Sequence, residues 1–232
     1  MSVKTEICWI CGEDARTREH RTKASDLRAL FGSPTQNSPL YFHTDARRNR
    51  RIGSINSDTL KFTNRICEAC NTARTQSHDY AWEKCAAYFL QHHRVLTAGQ
   101  FVRMNSFFPY DTKREMLNVH LYFVKLFGCQ IKEGNIAIEL QPFSKSILDG
   151  KAHPNVYLGF GIMPSLPVTV AGHSNVEALL LDGKVAYATW LYQLGKFCVE
   201  VIYAQDGEKR QGLVDAWNPR LGTKRLKIRP IG

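Results

Sequence analysis

Two cysteine pairs of identical spacing constrain this chain more than any other feature: Cys8-Trp9-Ile10-Cys11 and Cys67-Glu68-Ala69-Cys70. A C-x2-C turn aims two thiolates at one point, and two such turns complete a closed tetrahedral zinc site. A closed site staples the fold and leaves no coordination position for chemistry. The remaining cysteines, Cys85, Cys129 and Cys198, stand alone in the apolar stretches EKCAAYF, LFGCQI and GKFCVEV. They read as small buried hydrophobes. Seven cysteines are an odd number, which argues against a complete disulfide framework and for a reducing, cytoplasmic setting.

The 55 residues between the pairs exceed the spacing of a simple zinc ribbon, so the staple should carry an insert. Length allows one large domain or two small ones. No stretch approaches the roughly 18 to 20 consecutive apolar residues of a membrane span, and MSVKTEICWICGED lacks the apolar core of a signal peptide.

The net charge of +10 is unevenly placed. Residues 1–94 hold 15 Lys/Arg against 10 Asp/Glu, residues 95–208 nine against ten, and residues 209–232 seven against one. Basic charge at both ends suits a polyanion, with nucleic acid the partner expected and no membrane.

The pattern changes near residues 94–112, giving an expected division into 1–94 and 95–232. In the first part, Ser25 can cap a helix over Asp26–Phe31, LYFH suggests a short strand, and LKFTNRI (60–66) alternates like a strand. A longer helix is expected from near Asn71 to about His93, with Trp82, Cys85 or Ala86, and Phe89 on one face. In the second part, Lys113–Phe127 reads as an amphipathic helix. Residues 155–162, 176–181, 186–192 and 197–203 read as strands, with DGK (182–184) as a hairpin turn and 226–230 as an edge strand. The fold class expected is α+β, with a mostly antiparallel sheet in the second part. That part carries no nucleotide loop, nucleophile motif or second metal cluster.

Glu19-His20 lies between the cysteine pairs, and Asn71 follows the second pair directly. The order C-x2-C, Glu-His, strand-like segment, C-x2-C-Asn, helix resembles the HNH endonucleases, the ββα-metal nucleases with a zinc-stapled core, over about residues 5–93. The resemblance implies a phosphodiester hydrolase used in bacterial or phage defence, restriction or genome processing, with double-stranded DNA as the favoured substrate. It implies His20 as general base and Glu19 and Asn71 as ligands of a divalent ion. These residue types suit that chemistry. A histidine with an ordinary pKa near 6.5 can take a proton from water, and hard oxygen ligands suit Mg²⁺ or Mn²⁺.

The chain departs from the family at the middle asparagine that orients the histidine. Phe62 stands there, and Asn56, Asp58 and Asn64 are equal candidates to replace it. Arg47, Arg48, Arg50 and Arg51 form either a solvated loop or a grip on the nucleic-acid backbone, and Arg74, one turn beyond Asn71, is another candidate phosphate contact. His78 reads as a surface residue. One such module would cut one strand per visit, so double-strand cutting would need a homodimer, through the C-terminal part, or two nicks. The competing reading is a non-catalytic zinc-stabilised module that binds nucleic acid.

Overall fold

The computed structural model describes residues 6–167 and 169–231. The chain begins with the Cys8–Cys11 knuckle, followed by an extended segment over residues 17–21 and helix α1 (Ala24–Phe31). An arm of two short antiparallel strands follows, β1 (Leu40–Phe42) and β2 (Arg50–Ile52). Then come α2 (Glu68–Asn71), α3 (Gln76–His92), β3 (Phe101–Arg103), α4 (Thr112–Gly134) and α5 (Gln141–Asp149). The chain ends in a sheet built from β4 (Val156–Ile162), β5 (Ala171–His173), β6 (Glu177–Leu181), β7 (Lys184–Leu194), β8 (Phe197–Ala204) and β10 (Arg229–Pro230). The remaining strand, β9 (Arg225–Lys227), pairs with β3.

The sheet runs β10-β4-β8-β7, with β5 and β6 pairing along different stretches of β7. Every pairing within it is antiparallel except β10 with β4. Asp182 and Gly183 both have positive φ (51° and 77°), the two-residue turn whose twist matches the β6–β7 hairpin. The class is therefore mixed α+β with a largely antiparallel sheet, as the patterning indicates. No helix is long and apolar enough to cross a membrane, among the described residues.

Helix α4 is the centre of the molecule. It is buried continuously from Val119 to Ile131 rather than along one stripe. It packs between α3 and the sheet through Trp82 against Tyr122 (5.4 Å, stacked) and Phe123 (4.7 Å, edge-on), and Phe127 against Trp190. Phe89 of α3 stacks on Phe197 of β8 at 4.2 Å. One hydrophobic core thus runs from Cys8 and Ile10 through Trp82 and Phe89 to Trp190 and Ile228. The change of pattern near residues 94–112 marks a change in composition, and the core passes straight across it.

The knuckle itself docks on α4. A methyl group at Gly128 would overlap the Trp9 ring, so the absence of a side chain there lets the indole lie on the helix backbone. Ser144 of α5 adds a hydrogen bond to the Ile10 carbonyl at 2.5 Å.

Three local expectations need correction. Helix α1 starts at Ala24, with Lys23 as its cap, and Ser25 makes no capping bond. The Lys23 N–H donates to Tyr192 Oη at 2.9 Å, and this tertiary bond sets where the helix begins. The helix after the second cysteine pair is split: α2 ends at Asn71 and α3 starts at Gln76. Arg74 N–H donates to the Ala69 carbonyl and Thr75 Oγ1 to the Cys70 carbonyl, a wider turn than an α-helix makes. LKFTNRI meets residues 17–21 only at its ends, through Lys61 opposite His20 and Ile66 opposite Thr17. Its middle bulges towards α4, where Thr63 N–H donates to Glu133 and Asn64 Nδ2 to the Cys129 carbonyl.

Candidate metal centre and the Glu19–His20 site

The sulfurs of Cys8, Cys11, Cys67 and Cys70 all lie within 4.8 Å of one another, with Cys11 and Cys67 3.4 Å apart. Zinc–sulfur bonds of about 2.3 Å in a tetrahedron place sulfurs about 3.8 Å apart, so the cluster has the dimensions of a closed site. Burial, and then the neighbouring sulfurs, hold the Cys70 thiol well above its ordinary value. Four thiolates this close repel one another unless a cation sits among them, and the set could hold a structural ion such as zinc. Arg74 Nη1 donates to Cys70 Sγ at 2.8 Å, offsetting part of the negative charge a four-thiolate zinc centre would carry. Arg74, a candidate phosphate contact from its position on the helix, is thus turned onto the metal centre.

The staple sets residues 17–21 against residues 60–66. His20 Nε2 lies 3.1 Å from the Ile55 carbonyl. A carbonyl only accepts, so Nε2 must carry the proton and Nδ1 is left as the basic nitrogen. No hydrogen bond to Nδ1 is found among the described residues, and the ring is half-buried. Burial lowers the His20 pKa, against the opposing pull of the Ile55 carbonyl and of Glu19, which keeps the ring neutral at ordinary pH.

None of the three side chains considered as the orienting group touches this ring. Asn64 is committed to α4, Asp58 lies 3.5 Å from Arg18, and Asn56 is exposed. Phe62 is fully buried in the core. The orienting group is a main-chain carbonyl, which side-chain identities do not reveal. Its only trace in the sequence is the buried Ile55 that anchors the loop after β2.

Asn71 Nδ2 reaches the Arg18 carbonyl at 3.5 Å, a long contact that places the amide beside the Glu19–His20 segment, and Oδ1 makes no hydrogen bond among the described residues. Glu19 is different. Its Oε1 accepts the His20 backbone N–H at 2.9 Å, and its Oε2 is sealed from solvent 2.7 Å from Lys125 Nζ. Lys125 comes from the middle of α4 and is fully buried. Its ammonium also meets Thr75 Oγ1 at 3.1 Å and Asp79 Oδ1 at 3.3 Å. Burial alone would lower its pKa, but the Glu19 and Asp79 carboxylates outweigh burial and raise it, so Lys125 stays charged. Asp79 in turn meets Lys23 at 3.2 Å, and Lys23 meets Glu83 at 3.5 Å.

A divalent ion does not fit this arrangement. Glu19 Oε1 already accepts a backbone N–H, and Oε2 faces the fixed ammonium of Lys125 at 2.7 Å. A doubly charged ion about 4 Å from the ammonium would meet a repulsion of about 8 kcal/mol at an effective dielectric near 20. Sequence reasoning does not reach Lys125, because it lies more than 100 residues from Glu19 and looks like the polar face of an amphipathic helix. His78, read as a surface residue, is buried, and burial pushes its pKa down to about 4.

Arg47, Arg48, Arg50 and Arg51 lie exposed on the β1–β2 arm and the loop within it. Between the arm and β5 is a cleft of about 460 Å³ whose walls include Arg21, Arg50, Lys61 and His173. Lys61 stands directly across from His20. The chain matches no family model, no curated protein and no solved structure.

Proposed function

We propose that the zinc-stapled part of this chain is an HNH-type endonuclease that hydrolyses phosphodiester bonds of double-stranded DNA, with His20 as general base. The observation that carries this reading is the His20 ring. Its Nε2–H is tied to the Ile55 carbonyl, its Nδ1 makes no hydrogen bond among the described residues, and burial lowers its pKa and favours the neutral ring, as a base that removes a proton from water must be. Asn71 lies against the same segment at the Arg18 carbonyl, and its own side-chain oxygen makes no hydrogen bond among the described residues. Lys61, across the chain pairing from His20, and Arg18, two residues before it, both meet the largely exposed Asp58 and carry the charge to suit a bound phosphate. The cleft whose walls include Arg21, Asp58, Lys61 and the arm's Arg50 would take the backbone of the substrate. The Mg²⁺ or Mn²⁺ ion that the family resemblance would place on Glu19 and Asn71 has no role in this reading, because Lys125 already holds the carboxylate.

The same ion pair favours a second reading, a zinc-stabilised module that binds nucleic acid without cutting it. Nicking of supercoiled plasmid by zinc-loaded protein, assayed with Mg²⁺, with Mn²⁺ and with EDTA, separates the two. The nuclease reading expects nicking that His20→Ala abolishes while zinc content and fold persist. Tight DNA binding with no nicking under any of the three conditions would leave the binding module as the function.

A further inference from the structure

We propose that the ε-ammonium of Lys125 is the resident cation of the Glu19 site, standing where a divalent ion would bind, so that the wild-type chain takes up no Mg²⁺ or Mn²⁺ there. The inference deepens the nuclease reading and rests on it for the identity of the site, but its test reads ion binding rather than cleavage.

Three features single out this lysine. First, it is a full positive charge placed at the core of the molecule with no exposed surface, an expensive position unless opposite charge surrounds it. Second, its partners are oxygen groups of the kind that coordinate hard cations: a Glu19 carboxylate oxygen at 2.7 Å, an Asp79 carboxylate oxygen at 3.3 Å and the Thr75 hydroxyl at 3.1 Å. Third, these groups converge from three elements, with Glu19 on the segment before α1, Thr75 and Asp79 at the start of α3, and the ammonium arriving from α4. The second part of the chain therefore contributes directly to the site that the first part builds. Because Glu19 Oε1 holds the His20 backbone N–H, the ammonium that fixes Glu19 also fixes the peptide that carries the base. Lys125 is in this sense a positioning residue and does not itself meet substrate.

The test is titration of zinc-loaded protein with Mn²⁺, free ion being followed by electron paramagnetic resonance. Wild type and Glu19→Gln should be indistinguishable, neither showing a bound Mn²⁺ below the order of 1 mM. Lys125→Ala removes the ammonium and leaves room beside two carboxylates, and it should bind one Mn²⁺ at least about tenfold more tightly than wild type. That gain should disappear when Glu19→Gln is added. A stoichiometric Mn²⁺ in the wild type that Glu19→Gln abolishes overturns the inference, whether or not Lys125→Ala folds. A folded Lys125→Ala that gains no Mn²⁺ also overturns it, leaving an ion pair with no relation to a cation site. Either result is readable if the protein never cuts DNA, so this inference and the nuclease reading fail separately.

Discussion

Asp26→Asn should stabilise this protein at neutral and alkaline pH and leave it almost unchanged below about pH 4. Asp26 lies on α1, is 3% exposed, and accepts hydrogen bonds through Oδ2 from Trp82 Nε1 (2.8 Å) and Tyr192 Oη (2.6 Å). Burial pushes its pKa from 3.8 up to about 6, although those two bonds and Lys23 pull the other way. A carboxyl whose folded pKa exceeds its unfolded pKa gives stability that is fully present below about 3.8 and is lost as pH rises through about 6. A shift of about two pKa units corresponds to about 3 kcal/mol. The wild type should therefore lose about that much from this group between pH 4 and pH 8. Asparagine keeps an oxygen to accept from Trp82 and Tyr192 and has no charge to desolvate. Urea unfolding of both proteins at matched pH values and saturating zinc gives the difference directly, with the pH dependence of zinc binding common to both. A gap in favour of Asp26→Asn that opens between about pH 4 and pH 6 and levels off near 3 kcal/mol above that is expected. A gap independent of pH, or a variant less stable than wild type at pH 8, would show that Asp26 is ionised in the fold at no cost and would refute the reasoning.

Stripping the metal with a thiol-compatible chelator, or replacing Cys70 by Ser, should abolish the near-ultraviolet circular dichroism of the knuckle region and the cooperative melt, because apo sites of this kind fold only with their ion. Gly128→Ala inserts a methyl into the Trp9 ring. Its overpacking cost of about 1–3 kcal/mol should exceed the helix-propensity gain of at most about 1 kcal/mol, read as a lower melting temperature and faster zinc loss to chelator. Residues 1–94 expressed alone should show no cooperative unfolding. Trp82 and Phe89 would lose burial of about 1.5–3 kcal/mol each, and Glu19 would lose Lys125. Replacing Arg47, Arg48, Arg50 and Arg51 together by Ala should flatten the salt dependence of DNA binding by up to about 0.9 for each phosphate no longer neutralised, and an unchanged slope would remove the arm from the interface.

Two kinds of information separate cleanly in this chain. The cysteine pairs, the strands around residues 156–204 and their Asp182-Gly183 turn, and the burial of Cys85, Cys129 and Cys198 are all legible in order and spacing. Each depends on a short-range rule: a two-residue gap between thiolates, a period-2 alternation, or an αL-tolerant turn pair. The continuation of α4 to Gly134 and the whole of α5 are not legible in this way, because their residues are buried on several sides and show no single apolar stripe.

The Glu19–His20 neighbourhood divides along the same line. That a carboxylate, an imidazole and an amide belong together is visible from Glu19-His20 and from Asn71 placed after a metal turn. What each of them does was decided only in three dimensions. The tautomer of His20 is set by the Ile55 carbonyl, and every residue has such a carbonyl. Glu19 is committed by Lys125, whose approach depends on how α4 threads beneath the zinc knuckle. Arg74 faces sulfur because the chain widens between α2 and α3. Residue types and spacing determine which groups are available to a site. Their charge partners come from remote segments, and because Coulomb energy in a buried site depends on distances of a few ångströms, only the tertiary structure decides which of those groups remain free to act.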